Sequence, residues 1–267
     1  MSPSPENTFR AATYNVRVDA GLREPELAWP ARLPRLAKVI GSIDPDILGT
    51  QEGLAHQVFD LAANLPKHRW LGSGRDGGQQ GEFMAIYYRE SRFKVMECGD
   101  FWLSDTPHLP SATWGNRYRR MVSWAILRDL GGSRDVLVLN THLDHESENA
   151  REKSAAQLLH FITDRFATLP CVLLGDFNAV ARDSRTHTML TMQDAFRDGW
   201  DEAPVHPGDP QLDTFNDFQP PRRQGKRIDW ILLRGLVRAR TAGISSESEI
   251  TLHASDHLPV WADVAWT

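Results

Sequence analysis

Cysteine is scarce. The 267-residue chain carries two, Cys98 and Cys171. With so few, and with no secretory context, a disulfide scaffold is not expected, and both are read as free buried thiols beside apparent strands. Long apolar runs are also missing, and none nears the ~20 residues that a membrane-spanning helix needs. The start, Met1 to Asn7, is polar and proline-containing and holds no apolar signal core. A cytoplasmic protein with no membrane association and no obligate protein partner is therefore expected. An excess of basic charge is lacking too: 30 Lys and Arg stand against 35 Asp and Glu, for a net charge of −5. That argues against tight, sequence-blind binding of duplex nucleic acid, which needs a broad basic face. A nucleic-acid substrate held in a local basic cleft stays compatible with it. There is no internal repeat, no low-complexity tract and no linker.

What is present is ordinary globular material, 41% apolar and 24% charged. Strands are expected over Phe9–Val16, Ile47–Thr50, from Trp70, over Phe83–Tyr88 and Phe93–Leu103 as a pair, Met121–Leu127, Val136–Asn140, Val172–Leu174, Ile228–Leu233, Val237–Ile244 and Leu258–Val264. Helices are expected near Pro30–Ser42, Leu54–Asn64, Glu148–Thr168 and Arg185–Met192. Pro34 should fall in the first turn of the first of these, and Ser147 should cap the third. The five glycines between Gly72 and Gly81 lead into a strand rather than a helix, so they read as a flexible loop and not a phosphate cradle. A loop of about thirty residues precedes the last strands. Strands outnumber helices, and helices fall between strand groups. The pattern predicts two packed sheets with helices outside, as one domain over 8–267 behind a short polar tail, 1–7.

The most telling stretch is Val172-Leu173-Leu174-Gly175-Asp176-Phe177-Asn178, an apolar run delivering a carboxylate and a carboxamide to a strand end. In open α/β sheets chemistry gathers outside the carboxyl ends of strands, although Asp and Asn also serve simple turns. The same arrangement recurs at Asn15 in TYNVR, Glu52 in TQEG, His142 in NTHLDH, Asp229 in RIDWIL and Asp256-His257 in SDHLPV. A buried charge at one strand end is easily a satisfied structural group. So many at once point to a shared site.

At these residues, from about Thr8 to Trp266, the chain resembles the endonuclease/exonuclease/phosphatase superfamily of the deoxyribonuclease-I-like fold. The resemblance implies an α/β four-layer sandwich, two mixed β-sheets packed face to face with helices outside, and a phosphoesterase site that uses Mg²⁺ or Mn²⁺. By that likeness Glu52 is the metal ligand, with Asn15 and Asp256 completing or supporting the site. Asp176 and Asn178 orient and activate a water, and His257, fixed by Asp229, touches the phosphoryl group. His142 stands where abasic-site nucleases of the superfamily have tyrosine, and Glu82 matches the glutamate that pairs with that histidine. The residue types suit the chemistry, since hard cations take oxygen ligands and a carboxylate partner sets the tautomer and charge of a histidine.

The expected activity is hydrolysis of a phosphodiester by a nuclease or nucleotide phosphodiesterase. The alternatives are a phosphatase acting on sugar phosphates or other small monoesters and, further off, an inactive binding module. His142-Leu143-Asp144-His145 is similar to the end of the metallo-β-lactamase motif, but Asn140 stands where its first histidine belongs, so no dinuclear zinc site is expected. Trp114, Arg119, Arg151 and Asp144 are the candidate substrate contacts. Packing, surface ion pairing and helix capping are the plainer roles for them.

Overall fold

The computed structural model describes residues 7–21, 24–246 and 254–267. The polar tail expected over 1–7 lies outside them, save Asn7, whose amide donates to the Trp266 carbonyl at 3.0 Å. In chain order the main elements are β1 (Thr8–Asn15), α1 (Trp29–Ile43), β2 (Ile47–Gln51), α2 (Ala55–Asn64), β3 (His68–Leu71), β4 (Ala85–Arg89), β5 (Phe93–Trp102), β6 (Met121–Asp129) and β7 (Arg134–His142). There follow α3 (Glu148–Phe166), β8 (Cys171–Asp176), α4 (Arg185–Thr191), β9 (Arg197–Asp198), α5 (Gly199–Glu202), β10 (Asp229–Arg234), β11 (Val237–Ile244) and β12 (Val260–Trp266).

These strands form two mixed six-stranded sheets, ordered β11-β12-β1-β2-β4-β3 and β5-β6-β7-β8-β10-β9. Both sheets follow one plan. A parallel pair lies at the centre, β1–β2 in one and β7–β8 in the other, and every other pairing is antiparallel. Each parallel pair needs a crossover, and α1 and α3 supply them.

Strand alternation sorts side chains into three apolar layers. Val172 and Leu174 of β8 face the other sheet, with Val136, Val138, Ile47 and Ile86. Leu173 faces outward onto α3, with Leu137, Leu158 and Ile162. On the first sheet, Ala12, Tyr14 and Leu48 meet Leu36, Ile40 and Leu61 of α1 and α2. The result is the helix–sheet–sheet–helix sandwich expected from the sequence. The sheets approach closely at Gly49, where a Cβ would come within 1.9 Å of Leu174 Cδ1.

Several local expectations change. The runs 83–88 and 93–103 are not a hairpin: β4 pairs with β2 and β3, while β5 pairs with β6 in the other sheet. The short turn between them crosses from sheet to sheet, which local patterning cannot reveal. Pro34 lies inside α1, beyond its first turn. The helix starts at Trp29 with Pro30 following, so the second proline falls one turn on. Cys171 is buried, but Cys98 is exposed on β5. The glycine-rich stretch is a built hairpin rather than a loose loop, with Arg75 N–H donating to Glu82 O at 2.9 Å and Asp76 N–H to Gln80 O at 3.0 Å. The loop expected before the last strands contains β9 and α5. Ser147 does cap α3, its hydroxyl accepting from Ala150 N at 3.1 Å. Among the described residues no helix is long and apolar enough to cross a membrane.

Candidate active site

The two central parallel pairs end side by side, and their carboxyl ends carry the polar residues. Asn15 closes β1 beside Gln51, His142 closes β7 beside Asp176, and Asp229 opens β10 opposite Asp176. Beneath them, Asn140 and Gln51 tie the sheets together. Gln51 Nε2 donates to Asn140 Oδ1 at 2.7 Å, and Asn140 Nδ2 donates to the Thr50 and Ala85 carbonyls at 2.8 and 2.9 Å. Asn140 thus has a bridging role in place of the absent histidine. The glycine of GDFN is needed because a Cβ at Gly175 would meet Thr141 O at 2.1 Å.

Asn15 is the hub. Its Nδ2 donates to Glu52 Oε1 at 2.9 Å and to Asp176 Oδ2 at 3.0 Å, and its Oδ1 accepts from Arg17 N at 3.0 Å. Glu52 Oε2 accepts from Val18 N at 3.0 Å. Asp176 Oδ1 accepts from Asn178 N at 2.9 Å. His257 Nδ1 lies 3.0 Å from Asp229 Oδ2, and its Nε2 is 3.7 Å from Asp176 Oδ2. Asn178 Nδ2 donates to His142 Nε2 at 2.9 Å and to Leu143 O at 3.0 Å. Accepting there places the His142 proton on Nδ1, which has no partner among the described residues. Arg17, Glu52 and Asn178 all take positive φ, at 58°, 67° and 49°. Such backbone is costly for residues with a Cβ and tends to collect at functional sites.

These positions drive charges apart. Burial, then the Asp229 charge, raises the Asp176 carboxyl to about 7 against the pull of His257 and Asn15. Burial acts against ionised His257, yet Asp229 and Asp176 outweigh it and hold the imidazole well above its usual value. His142 goes the other way, lowered by burial and then by the Arg120 and His257 charges. Burial also works against ionised Glu52, but the hydrogen bonds from Asn15 and Val18 win and lower it. Burial raises Asp256.

Two overlapping sets of donor atoms lie within 4.8 Å of one another: Glu52, His142 and Asp176, and Asp176, Asp229 and His257. Their chemistry fits a hard divalent cation, being mainly carboxylate oxygen. Asp229 Oδ1 is buried without a hydrogen-bond partner. Arg17 Nη1 sits 3.8 Å from Glu52 and 3.3 Å from Asp256, a further sign of concentrated negative charge.

A cavity of about 410 Å³ opens over this cluster, lined among others by Glu52, Glu82, His142, Asp176, Asn178 and His257. Not every sequence-predicted residue reaches it. Trp114 is buried in the apolar layer beneath α3 and donates to Asp105. Arg119 pairs with Asp76 away from the cavity. Arg151 donates to the Asp144 carbonyl, and Asp144 caps the turn into α3 by accepting from Glu146 N and Ser147 N. Glu82 lines the cavity but is held by Arg75, at 2.6 Å, and not by His142. The hairpin carries Arg75 back onto Glu82 and so supplies a closer partner.

Sequence reasoning missed Arg17, Arg75, Tyr118, Arg120 and Phe215, all of which line the cavity; His145, weighed between loop capping and substrate contact, lines it as well. Arg119 and Arg120 are neighbours just ahead of β6, and side chains alternate there. That period does not single out Arg120, which shares the parity of Val122 and Trp124 on the α3 face.

Known proteins carry the same architecture. Over 97% of this chain and 100% of its own length, the solved mannosyl-6-phosphatase of Bacteroides thetaiotaomicron is 31% identical and superposes with a TM-score of 0.88. An endonuclease/exonuclease/phosphatase from Bacteroides vulgatus is 30% identical over 97% of this chain and 99% of that one, with a TM-score of 0.90. The Carbon catabolite repressor protein 4 homolog 3 of Arabidopsis thaliana is 24% identical over 179 residues, 64% of this chain but only 38% of that protein. The family model matched spans residues 12–257, from within β1 to the last of the clustered histidines. With fold, strand-end chemistry and relatives in agreement, the chain belongs to the Endonuclease/Exonuclease/phosphatase family, whose members hydrolyse phosphoesters.

Proposed function

We propose that this protein is a divalent-metal-dependent phosphatase of a small phosphomonoester, a sugar phosphate being the favoured class. The observation that carries the reading is the compact cavity of about 410 Å³ over the carboxylate cluster, a size suited to one small ligand. The likeness to a mannosyl-6-phosphatase at 31% identity supports it. This reverses the order of expectation from the sequence alone, which put a phosphodiester first.

Glu52 would hold Mg²⁺ or Mn²⁺, with Asp176, Asn15 and Asp256 around it. When bound, the ion polarises the phosphoryl group and offsets the crowded carboxylates. Asp176 and Asn178 orient the attacking water, and Asp176 takes its proton as general base. The water oxygen bonds to phosphorus as the ester P–O bond breaks, and the departing alkoxide takes up a proton from solvent, to which Asp176 returns its own. His257, charged and oriented by Asp229, offers its Nε2 proton to the phosphoryl group. His142, held neutral, serves as a hydrogen-bonding group.

The test compares a hexose 6-phosphate and an aryl phosphate with an aryl diester and single-stranded DNA, with Mg²⁺, Mn²⁺ or chelator. Monoesters should turn over fastest, with metal, and Asp176→Asn should lose ~10²–10⁴ in rate while still folding. Faster diester hydrolysis, or undiminished turnover by Asp176→Asn, would refute the assignment.

A further inference from the structure

One wall of the cavity is cationic and rigidly mounted. Arg75 donates to Glu82 Oε2 at 2.6 Å, and its guanidinium lies 4.9 Å from the centre of the Tyr118 ring. Tyr118 stacks on His145, with ring centres 5.8 Å apart and planes 27° apart. Arg120 Nη2 donates to His145 Nδ1 at 2.9 Å. Arg75, Tyr118, His145 and Arg120 therefore form one continuous chain of contacts, and all line the cavity that Asp176 and His257 share.

Arg120 does not behave as a structural arginine. It is 4% exposed, yet its Nε and Nη1 have no hydrogen-bond partner, and the nearest carboxylate oxygen, Asp144 Oδ2, is 3.7 Å from Nε. Arg32 provides the contrast. It is fully buried, and its Nε, Nη1 and Nη2 all donate to carbonyls, of Leu27, Val16, Ala254 and Arg17. A buried donor left unpaired is costly, and Arg120 also sits within the repulsive field of Arg75. Both costs are relieved by an anion in the cavity.

We infer that Arg75 and Arg120 form a dianion clamp that binds the extra negative charge of a phosphomonoester and so sets the preference of this site for monoesters over diesters. The inference rests on the phosphatase reading above and adds the residues that impose it. Near neutral pH a monoester carries about −1.5 to −2 charge, whereas a diester carries one. The carboxylate pole and its metal serve both kinds of ester, and the arginine pole rewards only the additional charge.

The experiment measures kcat/KM for an aryl phosphate and the matching aryl diester in the wild type, Arg120→Gln and Arg75→Gln with saturating Mn²⁺. Each variant should lose about 10–100-fold on the monoester and clearly less on the diester, and inhibition by inorganic phosphate should weaken in parallel. Guanidinium ion should partly restore the Arg120→Ala variant. Equal losses on both esters would mean that the arginines only support the fold, and the clamp would be refuted while the phosphatase reading stood. A wild-type preference for the diester would instead overturn the reading beneath it. If Arg120→Gln fails to fold, the more exposed Arg75 carries the same comparison alone.

Discussion

Asp176 is a carboxyl group that folding pushes toward its neutral form. Its value rises from an ordinary 3.8 to about 7, chiefly through burial and then through Asp229. The sign of the consequence follows from proton counting. Between those values the folded chain binds a proton that the unfolded chain releases, so stability falls as pH rises across that window. His257 is raised as well, but its contribution is intact below about 6.5 and is lost only through its elevated folded value. Below neutrality it does not mask the aspartate. In chelator, thermal unfolding of the wild type should therefore weaken from pH 5 to 7, and Asp176→Asn should weaken less and be at least as stable at pH 7. Parallel pH slopes in the two proteins would show that Asp176 is not the group responsible. Active-site residues that destabilise the fold while serving the chemistry are a common trade.

At the scale of elements, α1 shows how tertiary packing overrides local preference. Pro34 lies inside the helix and cannot donate to the carbonyl one turn back. The helix persists because Leu36, Val39, Ile40 and Ile43 bury against the first sheet, and because Arg32 clamps the loops after β1 and before Asp256. Pro34 itself is exposed. Proline in a helix interior costs up to ~3 kcal/mol relative to alanine, partly offset by its stiffening of the unfolded chain. Pro34→Ala should thus gain on the order of 1 kcal/mol, read as a higher midpoint in urea with unchanged turnover. A loss of stability would mean that the ring makes a packing contribution larger than the missing hydrogen bond. Arg32 illustrates what the pattern of α1 conceals. In the sequence it is one more charge on an amphipathic helix, but in the fold it is the strut beneath two site loops.

For the whole molecule, the site is a product of two sheets meeting. Asn15 and Glu52 come from one sheet, and His142, Asp176 and Asp229 from the other. Their carboxylates repel one another, so a bound cation should tie the halves together. Mg²⁺ or Mn²⁺ at a hundredfold excess over its Kd should stabilise the folded chain by about 2.7 kcal/mol, seen as a rise in unfolding midpoint that chelator reverses. Glu52→Gln should abolish most of that rise without unfolding the protein. An equal rise in the variant would place the ion elsewhere.

The sequence by itself determined the element types, the sandwich and the roll of strand-end residues, because two-residue and helical periodicities are local and because apolar runs ending in Asn15, His142 and Asp176 state where each strand delivers its polar group. It left two things open. Sheet membership of β4 and β5 depends on pairing between strands far apart in the chain, so a short turn read as a hairpin when it was a crossing. The arginine wall depends on a hairpin folding Arg75 over Glu82 and on Tyr118 stacking against His145, the second a contact between residues far apart in the chain. Tertiary structure alone also decided that Trp114 packs inside while Arg120 faces the cavity. Burial and long-range approach, unlike periodicity, are properties that no short stretch of chain contains.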